Sequence, residues 1–183
     1  MLHQADDNEL VRLFKQHIDR EKAFTTIVKR YQEKVYWQIR RLVVSHDDAD
    51  DVMQQVFIKV WNGLDHFRED AKLFTWLYRI AVNESLSFLE QQKKRTTVSF
   101  EDISASVEQK LIQEKGFDEK EAMWKLQKAI QLLPEKQRAV FNLRYFEEMP
   151  YEQMSEVLET SVGALKASYH HAVKKIEDYI LHR

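Results

Sequence analysis

Apolar residues recur along most of this chain at the three- and four-residue steps of an α-helix. In residues 7–14, Leu10, Val11 and Phe14 share one face. A longer helix is predicted over 22–44, with Phe24, Ile27, Val28, Tyr31, Val35, Ile39 and Leu42 inward. Arg20, Lys29, Arg30, Lys34, Arg40 and Arg41 line the rest, by default a solvated face. Asp47 and Asp48 begin the next helix, where negative charge suits the dipole. Val52, Val56 and Val60 pack one way there with Phe57, and Asp50, Asp51, Gln54 and Gln55 form a polar strip. Gly63 is expected to end that helix in the left-handed conformation. After a mixed-charge loop over 64–72, Trp76, Leu77, Ile80, Ala81 and Leu86 mark another helix. It closes on Lys93, Lys94 and Arg95, and Arg79 and Asn83 lie one turn apart off its apolar stripe.

Residues 96–117 break the pattern. They are rich in serine, threonine and acids, which reads as a linker, with one helical piece near 107–112. Its acids and hydroxyls could lie in a positive channel of a partner or simply solvate a tether. Periodicity returns over 118–133, where Met123, Leu126, Ile130 and Leu133 point inward. Pro134 then opens a helix with Val140, Phe141, Leu143 and Tyr145 apolar. The stretch 151–176 closes the bundle as two helices around a tight break at Glu159, Thr160 and Ser161. Met154, Val157 and Leu158 face inward on the first, and Leu165, Tyr169, Ala172 and Ile176 on the second. Ser161 can cap the second helix. Its outer face carries Lys166, Ala167, His170, His171 and Lys174, and no acid occurs between Ser161 and Ile176. This is what a helix-turn-helix reader of the major groove needs, because phosphate repels carboxylates. An ordinary helical hairpin with a solvated face has the same pattern.

Composition narrows the class. With only three glycines and two prolines in 183 residues, too few turn residues exist for a sheet protein. The fold class is therefore all-α: two small helical domains joined by a flexible linker, the C-terminal one a helix-turn-helix bundle. The absence of cysteine excludes disulfides and thiolate metal sites and fits a cytoplasmic setting. The acidic, polar N-terminus is no signal peptide, and no apolar run is long enough to span a bilayer. A formal net charge of −2 argues against binding nucleic acid by bulk charge, so DNA contacts must come from local patches or with a partner's help.

Three segments, DADDVMQQVFIKVW, FREDAKLFTWLYRIAVN and LPEKQRAVFNLRYFEEMPYEQMSEVLETSVGALK, together resemble the extracytoplasmic-function sigma factors of the sigma-70 family. The likeness runs in family order over about 24–176, and its middle segment is the most specific. It implies a region 2-like domain over 1–95, the linker 96–117 and a region 4-like domain over 118–183. It also implies a protein that is not an enzyme. Such a protein binds core RNA polymerase, brings it to promoter DNA and helps open the duplex.

The resemblance assigns residues to three surfaces. Asp48, Asp51, Gln54, Gln55, Phe57 and Trp61 fall on the segment that grips a coiled coil of the largest polymerase subunit. Phe67, Arg68, Asp70, Lys72, Arg79, Asn83, Lys93 and Arg95 fall on the element that captures an unpaired base of the −10 strand. Ser161, Gly163, Ala164, Lys166, Ala167, His170, His171 and Lys174 fall on the reader of the −35 element. There Gly163 and Ala164 let the helix N-terminus approach phosphate. Many members are held by an anti-sigma protein, often membrane-bound.

This chain departs from the pattern. Glu159 stands where the family often has glycine, and Ala164 replaces a threonine. Ser168 and His171 replace arginines, and Ser87 and Glu90 stand where an aspartate and an arginine are usual. Each lost cation should weaken phosphate contact. The histidines could make binding pH-sensitive, but neighbours on a helix diverge, so neither a metal site nor a cofactor is expected. Two other readings stand beside this one: a helix-turn-helix regulator that binds operators as a dimer without polymerase, and a helical adaptor that does not act on DNA. An enzyme is disfavoured, because no glycine-rich phosphate loop, metal cluster or nucleophile–base pair is visible.

Overall fold

The computed structural model describes residues 4–95, 109, 111–112 and 121–182. All regular structure among them is helical. The Asp6 carboxylate accepts the Glu9 N–H at 2.8 Å and so starts α1 (Asp7–Lys15). α1 packs on α2 (Arg20–Val43), and Leu10, Val11 and Phe14 are fully buried.

α2 ends in a strained turn. Val44 has φ 70° and ψ −52°, and the Ser45 N–H donates to the Val43 carbonyl at 2.9 Å. This is a γ-turn in a conformation that β-branched residues rarely adopt. Val44 is itself buried, so core packing holds the turn in place. Ser45 then caps α3 (His46–Gly63), accepting the Asp48 N–H at 3.3 Å.

Gly63 does not take the left-handed conformation expected for it. Its φ is −95° and ψ −15°, and the chain runs on into a 3-10 turn over Leu64–His66. Crowding is what favours glycine here, since a Cβ would lie 3.1 Å from Cζ2 of Trp76. α4 (Leu73–Arg95) follows and packs on both α2 and α3.

The C-terminal helices are α5 (Glu121–Gln131), α6 (Glu135–Tyr145), α7 (Tyr151–Leu158) and α8 (Val162–His182). Pro134 occupies the N-cap of α6. Arg138 ties α6 to α5, donating to the Gln131 carbonyl at 3.2 Å and to its side-chain Oε1. Burial lowers the Arg138 guanidinium to about 10. Tyr145, read as part of the apolar set, is 49 % exposed and stacks on Phe141 with centroids 5.1 Å apart. Of the helical piece expected near 107–112, only Gln109, Leu111 and Ile112 are described, and the rest of 96–117 lies outside the described residues.

The two lobes do not stand apart. One apolar cluster runs from Leu10 and Ile27 through Leu77 and Val82 to Leu143, Met149, Met154 and Leu165. A smaller one joins Ile130, Leu133, Phe141, Ala172 and Ile176. α4 is the shared wall, touching α6 and α7 as well as α2 and α3. This docking overturns the solvated reading of part of α2. Arg40 is buried, and Arg41 is half-buried where Glu147, Gln131 and Phe146 of the C-terminal lobe meet it.

The HTH core and its outer face make opposite predictions. Leu165 is 1 % exposed, so Leu165→Ala should cost about 2–5 kcal/mol of unfolding free energy. The exposed neighbour Lys166→Ala should stay within about 0.5 kcal/mol of the wild type. Urea denaturation of both variants checks the pair.

Candidate nucleic-acid interface

The HTH turn forms as its residues dictate. Glu159 takes φ 49° and ψ 42° and ends α7, its N–H donating to the Ser155 carbonyl. Thr160 donates its hydroxyl to the Leu158 carbonyl at 2.9 Å. The Ser161 hydroxyl accepts the Ala164 N–H at 3.3 Å, which is the cap expected from the sequence. Leu165, Ala172 and Ile176 of α8 are buried and Tyr169 is half-buried. Ser161, Gly163, Ala164, Lys166, Ala167, His170, His171 and Lys174 are all exposed. Nothing lies within 4 Å of a Cβ built on Gly163, so this glycine leaves the first turn of α8 bare rather than relieving a clash. The Lys166 ammonium sits 5.7 Å from the Tyr151 ring, which steadies it on the outer face. The His170 and His171 ring centroids are 6.1 Å apart and tilted. Among the described residues no three metal-ligating side chains converge.

On α3, Asp51, Gln54 and Gln55 are exposed. Asp48 is half-buried and accepts from Gln92 Nε2 at 3.5 Å. Phe57 and Trp61 are half-buried on the flank of the same strip. Trp61 meets Phe14 and Phe24 edge-on at 5.0 Å and 4.9 Å, and Phe57 meets Phe24 at 6.5 Å. Both rings therefore pack on neighbouring aromatics while keeping part of their surface open. The apolar residue that the strip does present is Ile58, 48 % exposed. It escaped the sequence reading, although its spacing from Gln54 and Asp51 is helical and could have identified it.

The loop after α3 also differs from expectation at Phe67. Its ring is 5 % exposed and packs on Trp76 at 5.0 Å, so it shapes the loop from beneath. Arg68, Asp70 and Lys72 are exposed, as are Asn83 and Arg95 on α4. Arg79 and Lys93 are engaged by the other lobe. Arg79 lies 3.6 Å from the Glu159 carboxylate in the HTH turn, and Lys93 lies 3.2 Å from Glu135.

A third contact between the lobes centres on Glu147. Its carboxylate accepts from Arg41 Nη1 at 2.7 Å and from the Tyr78 hydroxyl at 2.9 Å. Arg41 stacks on Phe146 at 4.4 Å, and its carbonyl accepts from Gln131 Nε2 at 2.8 Å. Burial pushes the Tyr78 hydroxyl far above the usual tyrosine range, and the Glu147 carboxylate adds to the shift. Beside this contact lies a cleft of about 280 Å³ lined by Trp37, Arg41, Gln127, Gln131, Asn142 and Phe146, among others.

A bundle with a capped HTH and a separate polar strip on α3 is the plan of a helical transcription factor with two recognition surfaces. The family model for sigma-70 region 2 matches residues 27–95, and that for sigma-70 region 4 matches 123–176. The chain is 33 % identical to the RNA polymerase sigma-H factor of Pseudomonas aeruginosa, over 97 % of this chain and 95 % of that one. It is 31 % identical to the ECF RNA polymerase sigma-E factor of Escherichia coli, over 87 % of each. The chain belongs to the extracytoplasmic-function group of the sigma-70 family. Among solved structures, the fold is similar to the sigma factor RpoE of Bartonella quintana in complex with the anti-sigma factor NepR. The TM-score is 0.66 at 20 % identity, covering 87 % of this chain and 97 % of that one. It is also similar to CnrH in complex with the cytosolic domain of CnrY. The TM-score there is 0.67 at 21 % identity, covering 93 % and 94 %.

The Glu147 contact predicts a loosened molecule on mutation. Glu147→Ala should weaken docking by on the order of 1–3 kcal/mol, because it strips a charged acceptor from two donors. Small-angle scattering should then show a radius of gyration above the roughly 16 Å of a compact chain this long. Alkaline pH should act in the same direction. The docked form favours protonated Tyr78, so this contribution is intact below the ordinary tyrosine value of 10.0 and is lost as pH rises through the raised one. Tyr78→Phe should abolish that part of an alkaline scattering titration.

Proposed function

We propose that this chain binds core RNA polymerase in the cytoplasm and directs initiation at promoters carrying its −10 and −35 elements. Two exposed recognition faces on one chain carry this reading: the α3 strip and the acid-free outer face of α8. The α3 strip serves the coiled coil of the largest subunit, with Asp51, Gln54 and Gln55 as polar contacts. Ile58 is the apolar anchor at its centre, and Asp48, Phe57 and Trp61 hold the helix that presents it.

The loop 67–72 takes the unpaired −10 base. Arg68, Asp70, Lys72 and Asn83 supply hydrogen bonds and charge, and Arg79, Lys93 and Arg95 attract the backbone. At the −35 element, α8 enters the major groove with Lys166 reaching phosphate or a base edge. His170, His171 and Lys174 follow along the same face. The polymerase performs the chemistry, and this chain supplies recognition and strand capture. A protein partner of the anti-sigma class, like those bound to the two structural neighbours, belongs to the same proposal.

The docked lobes must separate for this function. Elements centred near −10 and −35 lie about 25 base pairs apart, roughly 85 Å at 3.4 Å per pair. A compact chain with Glu159 against Arg79 cannot reach both. Residues 96–120 have a contour length of about 85 Å, so chain connectivity permits the separation. The interface is suited to reversal. Three ion pairs, Arg41–Glu147, Arg79–Glu159 and Lys93–Glu135, link the lobes beside the apolar contact, and the buried Oδ1 of Asn142 has no partner.

Run-off transcription with bare core enzyme and a genomic promoter library tests the reading. Wild-type protein should start transcripts at a defined promoter set. Ile58→Asp should lower core affinity at least tenfold, and Lys166→Glu should abolish −35-dependent selection while core affinity is kept. Specific duplex binding without polymerase, unaffected by Ile58→Asp, would instead identify a regulator that acts alone.

A further inference from the structure

We infer that Lys15, on the N-terminal helix, is a positioning residue for the strand-capture loop 67–72; this rests on the function proposed above for that loop. The loop holds itself together poorly. Residues 68–71 make no backbone–backbone hydrogen bond, and the nearest ones join Phe67 to Leu64 and Trp76 to Lys72. A loop without internal bonds has no conformation of its own to present to a base.

Lys15 supplies the missing support. Its ammonium donates to the Phe67 carbonyl at 2.6 Å and to the Glu69 carboxylate at 2.8 Å. The two bonds fall on either side of Arg68. They also hold Glu69 at φ 61°, a left-handed conformation that disfavours residues other than glycine. Glu69 in that state sets the direction in which Arg68 and Asp70 leave the loop. The pairing matters for charge as well. A free Glu69 carboxylate would face the phosphodiester backbone that the loop has to approach, and Lys15 neutralises it.

α1 is anchored firmly enough to act as a brace. Phe14 is fully buried, and the Arg20 guanidinium stacks 4.1 Å over its ring and 5.1 Å over Trp61. Arg20 also bonds Asp65 at 2.7 Å, just before the loop. Two cations from the α1–α2 corner therefore hold the segment leading to α4 at Asp65, Phe67 and Glu69. α1 lies outside the region 2 match, which begins at residue 27.

The test uses reconstituted holoenzyme and Lys15→Met, which keeps the stem and removes the ammonium. Lys15→Arg is the conservative restoration. The probes are a promoter that the wild-type holoenzyme opens and a labelled single strand carrying its −10 element. Lys15→Met should slow open-complex formation, read by permanganate reactivity of unpaired thymines, about tenfold. It should weaken capture of the single strand by a similar factor and leave core affinity unchanged. Lys15→Arg should recover most of both losses. In Glu69→Gln, removal of the ammonium should matter less, since the repulsion it masks is gone. Wild-type opening and capture by Lys15→Met would overturn the inference, as would equal loss of core affinity and thermal stability. Failure of the wild-type holoenzyme to open any promoter would instead sink the proposed function itself.

Discussion

Everything in this molecule leans on α4, which is buried from two directions. Most amphipathic helices bury one stripe and leave the other face to water. α4 buries Leu73, Leu77 and Ala81 and also Tyr78, Val82 and Ser85. The cores of both lobes therefore continue through one helix, and the HTH core residue Leu165 joins the same cluster as Ile27. Loss of packing at α4 would reach both recognition surfaces, even though neither surface lies in the core.

The contacts around this wall are mixed in kind. Apolar burial joins the lobes, while acids of the C-terminal lobe engage basic residues of the N-terminal one: Glu147 with Arg41, Glu159 with Arg79, Glu135 with Lys93. Glu159 has two roles in this. It closes the HTH turn, and it adopts the left-handed backbone that glycine would adopt more easily. Its carboxylate also meets Arg79 of the other lobe at 3.6 Å. The Glu159–Arg79 and Glu135–Lys93 pairs are exposed, so each is individually weak and yields to salt or to a competing polyanion.

The faces proposed for recognition are built by a common rule. Each is an exposed polar face of a helix whose opposite face is locked into a core. For α8 the lock is Leu165, Ala172 and Ile176. For α3 it is Val52, Val56 and Val60, with Phe57 and Trp61 packed among Phe14 and Phe24. The loop 67–72 is the exception, since no helix of its own carries it. Phe67 seats it on Trp76, and α1 steadies it from the side.

What the amino-acid sequence by itself determined is everything local. Helical period, capping serines and the acid-free run fixed the helix types, the HTH turn and the outward residues of α8, because each depends on neighbours within a few positions. Lys166 could be placed outward and Leu165 inward without any knowledge of the rest of the chain. Tertiary structure alone decided which faces lie between distant helices. Arg40 and Phe67 are buried, and Gly63 answers to Trp76 instead of to its own turn. The pairing of Lys15 with Glu69 and of Arg41 with Glu147 belongs to the same group. A charged residue on a helix looks solvated in sequence, and only a partner from far along the chain can make that face an interior one.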